Sequence, residues 1–173
     1  MMVNKDLLAR LNKIHVILNI SVRLRSGQQS NFYCDIKKAY GHPSLLTGIA
    51  KEIGKLIDKN ITCVAASGYG GLPLAVVVAT MFNLNFVAVR DKVKKYGRGS
   101  YIDGYVPNED DKIIIIDDVL TTGSSIKETY SVLRKTKAEI TEAIVVVKRG
   151  EASLPIPHRY IFTIDDLIKI SGQ

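Results

Sequence analysis

The sequence holds only two cysteines, Cys34 and Cys63, and three histidines among 173 residues. A structural zinc site needs several Cys or His ligands at regular spacing, so none is expected. His15, His42 and His158 form no triad, and Cys63, inside the apolar run "ITCVAAS", reads as a small buried hydrophobe. No apolar stretch approaches the ~18 residues that would suggest a membrane span. The start, "MMVNKDLLARLNKIHVILNI", mixes charge into an amphipathic pattern; it makes a poor signal peptide, and a cytoplasmic location with no membrane partner is expected. Internal repeats and low-complexity linkers are also missing, so residues 1–173 are expected to form a single domain.

What is present is ordinary for a globular chain: 46% hydrophobic and 24% charged residues. The net charge of +7 could reflect a solvated surface, nucleic-acid binding or a cleft for a small anion. Many basic residues fall in one stretch, "RDKVKKYGRG" at 90–99, which favours a local anion site.

Along the chain, residues 5–20 fit a helix through Leu7, Leu8, Leu11 and Ile14. "VRLRSGQQSNFYCDIKKAY" reads as a hairpin turning at Ser26-Gly27. "HPSLLTGIAKEIGKLIDKN" reads as a helix with Pro43 in its first turn. "ITCVAAS" is a strand, "GYGG" a turn, "LPLAVVVATMFN" a helix and "NFVAVR" a strand. Residues 91–111 fit no packed element, and a loop of that length is usually functional. "KIIIID", "SSIKETYSVLRKTK" and "EITEAIVVVKR" read as strand, helix and strand, with "TIDDLIKI" a last helix capped by Thr163. Alternating strands and helices predict an α/β fold with a mostly parallel central sheet flanked by helices.

Asp117 and Asp118 fall at the end of the isoleucine strand, where open parallel sheets bind ligands. Thr121, Thr122, Gly123, Ser124 and Ser125 follow, and the next helix begins there. Amides at a helix N-terminus can cradle a phosphate, and Gly123 lets the backbone approach it. Carboxylates beside a phosphate cup would repel the phosphate, so they must meet sugar hydroxyls or a metal ion. A ribose with its 5′-phosphate in the cup fits that spacing. An ordinary helix cap would explain one or two of these residues, but not the whole run. No Gly-Lys-Ser/Thr follows, so this is no Walker A loop.

"IIIIDDVLTTGSS" closely resembles the phosphoribosyl-pyrophosphate (PRPP) motif of type I phosphoribosyltransferases. "LRSGQQSNFYCD", "GYGGLPLA" and "RDKVKKYGRG" resemble the hood segment, pyrophosphate loop and mobile catalytic loop of the orotate phosphoribosyltransferase family. The matches run in the family's order from about residue 20 to 150. The resemblance implies a type I phosphoribosyltransferase-like fold with a small N-terminal hood, about residues 1–40, on a core of about 41–173. It implies transfer of ribose 5-phosphate from PRPP to orotate, giving orotidine 5′-monophosphate and pyrophosphate, with Mg²⁺ accompanying PRPP.

Carried over by position, Asp117 and Asp118 would bind the ribose hydroxyls, Asp118 or both would steady positive charge, and residues 121–125 would hold the 5′-phosphate. Tyr69 and Gly70 belong to the pyrophosphate loop. Arg90, Lys94 and Lys95 would contact pyrophosphate, with Lys94 catalytic. Arg25 would meet orotate or pyrophosphate, Phe32 and Tyr33 would border the base, and Arg149 would sit near orotate. A homodimer sharing the loop between subunits is implied. The chain departs from the family at Asp91, Tyr96 and Arg98 in the loop and at Lys148 before Arg149. Some members carry lysine where Gly70 stands. The shared PRPP motif leaves two alternatives, transfer to another base and a non-catalytic PRPP sensor that binds nucleic acid. The hood segment and Arg149 favour orotate as the base, and the retained loop with Arg90 and Lys94 speaks against a sensor, so no nucleic-acid partner is expected.

Overall fold

The computed structural model describes residues 4–23, 27, 29–90 and 101–171. The first helix, α1 (Lys5–Lys13), buries Leu7, Leu8 and Leu11, and Asn4 caps it by accepting from the Leu7 amide at 3.0 Å. It stops short of the predicted residue 20. His15 takes a positive φ of 52°, which turns the chain, and the next apolar residues become β1 (Ile17–Leu18).

The predicted hairpin forms between β2 (Val22–Arg23) and β3 (Gln29–Ser30), with Gly27 at φ 88° in the turn. It is shorter than expected. β4 (Tyr33–Cys34) pairs instead with β1, and "IKKAYG" winds into a 3₁₀ helix, Ile36–Gly41. α2 (Pro43–Gly54) then starts with Pro43 in its first turn, as predicted.

The core strands are β5 (Cys63–Ser67), β6 (Asn85–Val89), β7 (Ile102–Gly104), β8 (Lys112–Leu120), β9 (Glu139–Lys148) and β10 (His158–Thr163). Their order is β10-β9-β8-β5-β6-β7, and every pairing is parallel except β6 with β7. Two strands here escaped the sequence reading. β7 lies inside the presumed long loop, so β6 and β7 pair on either side of residues 91–100. β10 carries few β-branched residues and lines up beside β9 as an edge strand.

The four isoleucines of β8 alternate between two cores. Ile114 and Ile116 join Leu11 of α1, Ile53 of α2 and Leu74 and Val78 of α3 (Gly68–Phe82). Ile113 and Ile115 join Ile126 and Leu133 of α4 (Ser124–Leu133). A strand covered on both faces has no polar side, hence the unbroken apolar run. The last helix, α5 (Ile164–Ser171), is capped as predicted. Thr163 Oγ1 accepts from the Asp166 amide at 3.2 Å, and Asp166 Oδ2 accepts from the Thr163 amide at 2.8 Å, a reciprocal capping box.

Candidate active site

β8 runs further than the sequence suggested, and both aspartates lie within it. β5 pairs with β8 only as far as Ile115, whereas β9 continues to Leu120. Asp117 and Asp118 therefore project beyond one neighbour while the other holds their backbone. The Asp118 amide donates to Asp117 Oδ1 at 2.9 Å, and the Val119 amide to Asp118 Oδ1 at 2.8 Å. Burial pushes the Asp117 carboxyl up to about 8, and the charge of Asp118 pushes the same way.

The turn after β8 leads straight into a helix N-terminus. Gly123 precedes α4 at φ 74°, and a Cβ there would meet Leu154 at 2.4 Å. No side chain caps the helix, and its first internal bond runs from the Lys127 amide to the Gly123 carbonyl at 2.9 Å. The first amides of an α-helix have no acceptor within the helix, and the dipole there favours a negative ligand. Thr122 and Ser124 hydroxyls lie 3.0 Å apart at the mouth. The Arg149 and Gly150 amides, bonded to the Leu120 carbonyl, bring the end of β9 alongside.

"GYGG" is not the turn expected from its glycines but the first turn of α3. Its glycines permit contact with β8. A Cβ on Gly71 would lie 2.5 Å from the Ile116 carbonyl, and one on Gly70 would lie 2.4 Å from Asp118 Oδ1. Tyr69 is exposed and lines a cleft of about 530 Å³ with Leu72, Arg90 and Asp103. Arg90 forms an ion pair through Nε with Asp103 of β7, and its amide donates to the Tyr101 carbonyl at 2.9 Å.

The hood reaches over from the other side. Arg149 lies 4.5 Å from the Phe32 ring centroid and donates to Ser30 Oγ at 2.6 Å and the Phe32 carbonyl at 3.2 Å. The Tyr33 ring faces Lys37, whose Nζ is 5.8 Å from its centroid. Lys37 Nζ lies 3.2 Å from Asp118 Oδ2 and 3.5 Å from Asp35 Oδ1. Burial works against the Lys37 charge, but Asp118 outweighs it and holds the ammonium above its ordinary range. The Tyr40 hydroxyl donates to the Gly70 carbonyl at 2.6 Å. Buried Cys34 sits among these groups, its thiol pushed up to about 12 by burial and by Asp118.

Of the predicted residues, the structure gathers Asp117, Asp118, Thr121 to Ser125, Gly70 and Tyr33 around the end of β8. Phe32 and Arg149 stack beside them, and Tyr69 and Arg90 share the neighbouring cleft. Arg25, Lys94 and Lys95 lie outside the described residues, as do Asp91, Tyr96 and Arg98. Lys148 turns elsewhere, to Glu151 at 2.6 Å and the Tyr160 ring. Sequence reasoning missed Asp35, Lys37, Tyr40 and Asp103. Reading "DIKKAY" as strand hid the signal, because a 3₁₀ helix puts residues three apart on one face and so aligns Lys37 with Tyr40. Among the described residues, no group of three or more His, Cys, Asp or Glu side chains is placed to hold a metal ion, and no helix is long and apolar enough to cross a membrane.

A mostly parallel sheet carrying paired carboxylates and a helix N-terminus at one strand end is a polar site where open α/β sheets bind ligands. The phosphoribosyl transferase domain model matches residues 37–171, and the chain belongs to that family. Within it, the chain is similar to orotate phosphoribosyltransferases. It is 35% identical over 148 residues to the one from Methanocorpusculum labreanum, covering 86% of this chain and 85% of that one. It is 35% identical over 133 residues to the one from Pyrococcus horikoshii, covering 75% and 71%. Among solved structures, that of orotate phosphoribosyltransferase from Aeropyrum pernix superposes with a TM-score of 0.83 at 26% identity, covering 96% of this chain and 98% of that one.

Proposed function

We propose that this chain is an orotate phosphoribosyltransferase, a pentosyltransferase that serves pyrimidine synthesis in the cytoplasm. The observation that carries this reading is the turn from β8 to α4, where two carboxylates stand beside an uncapped helix N-terminus. PRPP binds with its 5′-phosphate on the amides and hydroxyls of Thr121 to Ser125 and its ribose hydroxyls on Asp117 and Asp118. The pyrophosphate lies toward Tyr69, Gly70 and Arg90, where Lys94, Lys95 and Arg25 add charge. Mg²⁺ accompanying PRPP would be held through the substrate's phosphates rather than by a cluster of side chains, and would neutralise part of the pyrophosphate charge.

The bond from ribose C1 to the pyrophosphate oxygen breaks as N1 of orotate bonds to C1, the N1 proton passing to the released pyrophosphate or to water. Positive charge grows on the ribose ring in between, and the Asp118 carboxylate is fixed by a backbone amide to face it. Lys94 steadies the departing pyrophosphate. Arg149, stacked on Phe32, suits a flat base bearing a carboxylate. The protein works as a homodimer of single-domain subunits, with a hood of about residues 1–40 on a core of about 41–173. Exposed Tyr69, Val76 and Met81 along α3 offer apolar surface for the partner.

The test is pyrophosphate release with PRPP and Mg²⁺ against a panel of bases. Release with orotate alone is expected. Release with adenine, hypoxanthine or uracil, and none with orotate, would overturn the reading.

A further inference from the structure

Asp118 is boxed in on three sides. The Val119 amide holds Oδ1, Gly70 presses against the carboxylate with no room for a side chain, and the Lys37 ammonium meets Oδ2. The third contact comes from outside the motif, across 81 residues of chain. Lys37 is itself held in place, its ammonium near the Tyr33 ring and between Asp118 and Asp35. Asp35 Oδ1 is buried and accepts no hydrogen bond among the described residues, so this ammonium is the charge it faces. Three residues on, the Tyr40 hydroxyl ties the same 3₁₀ helix to the Gly70 carbonyl.

One short helix thus touches both walls of the ribose site, the carboxylate through Lys37 and the facing loop through Tyr40. A carboxylate that must receive two ribose hydroxyls gains from being aimed before the sugar arrives. Without the ammonium, Asp118 Oδ2 would lose its ion-pair partner beside Asp35, and the carboxylate would turn toward water.

We propose that Lys37 is a positioning residue for PRPP capture, holding the Asp118 carboxylate at the ribose site from the hood side. This rests on the reading that PRPP binds at the end of β8. Lys37 acts through Asp118, so its loss should weaken PRPP and spare orotate.

The experiment measures calorimetric binding of PRPP with Mg²⁺, together with KM for both substrates, in the wild type, K37Q, K37R, D118N and D118N/K37Q. The K37Q variant is expected to bind PRPP about tenfold to a hundredfold more weakly, with orotate KM held within about twofold and K37R recovering most of the loss. In the D118N background, K37Q should cost nothing more, because the group it positions is gone. That second comparison decides the matter even if K37Q alone fails to fold. Equal PRPP affinity in the wild type and K37Q, or a further fall of about tenfold in D118N/K37Q, would overturn the inference. A wild-type protein that binds no PRPP would overturn the underlying reading first, and this inference with it.

Discussion

The two ends of β8 carry the same residue type in opposite circumstances. At the lower end, Asp111 is buried, and its carboxylate takes three good donors: the Thr62 hydroxyl at 2.8 Å, the Tyr105 hydroxyl at 3.0 Å and the Asn108 amide at 3.0 Å. Burial alone would raise its pKa, but the Asn108 amide and the two hydroxyls outweigh burial and lower it. At the upper end, Asp117 is half-buried beside another carboxylate and accepts from one backbone amide, and its pKa is driven up. The lower carboxylate is satisfied and serves the fold. Of the upper pair, Asp118 takes an amide and the Lys37 ammonium while Asp117 takes one amide beside a second carboxylate, an imbalance that suits a site meant to receive a ligand.

The sharpest way to break this comparison is to neutralise each end. Asp117→Asn with Asp118→Asn should cut turnover on the order of a thousandfold while leaving the melting temperature unchanged or higher. Asp111→Ala should do the reverse. Stranding its buried donors should cost about 1–3 kcal/mol of stability by denaturant titration, with turnover per folded molecule retained. Near-normal turnover in the double variant would remove the assigned role of the pair.

A smaller effect is expected where the upper end meets α3. Gly70→Ala would put a methyl group 2.4 Å from Asp118 Oδ1, so the carboxylate must shift. Turnover should fall on the order of a hundredfold, the scale of a displacement of about 1 Å in an active site. Gly68→Ala is the control. It adds a methyl group in open space at φ 63°, leaves Asp118 in place and should cost about 1–2 kcal/mol of stability.

The two ends should also respond to pH with opposite sign. The unfolded chain releases the Asp117 proton near 3.8, and the folded chain holds it to about 8. Between those values the folded state binds more protons, so this group destabilises the ligand-free protein as pH rises through that window. For Asp111 the folded pKa lies below 3.8, and its contribution disappears as pH falls through that lower value. Melting curves of the wild type and Asp117→Asn from pH 4 to 8 should diverge, with the fall on the alkaline side absent from the variant.

The smallest effect lies away from both ends. Thr163→Ala removes the cap of α5 and should cost about 1 kcal/mol of stability with no change in KM for either substrate.

The upper end was legible in the sequence because its parts are consecutive. Asp117 to Ser125 sit on one strand, one turn and one helix start, so reading along the chain also reads across the site. The isoleucine run announced a strand buried on both faces. The hood was legible only as a hairpin with a turn at Gly27. Its contribution depends on contacts such as Lys37 with Asp118 and Arg149 with Ser30, which link distant residues and leave no local pattern. The 3₁₀ helix was hidden because six residues are too few for a periodic signal. β7 was hidden because three residues beside a basic segment read as loop. Asp111 gave no sign of its network, since Thr62 and Tyr105 reach it only once β5 and the residues after β7 are in place.

The most direct test of the central claim is the absorbance of orotate, followed with purified protein, Mg²⁺ and PRPP beside a control without PRPP and beside Asp118→Asn. The account predicts PRPP-dependent loss of orotate in the wild type and a nearly flat trace in the variant. No loss in the wild type, or equal loss in the variant, would contradict it.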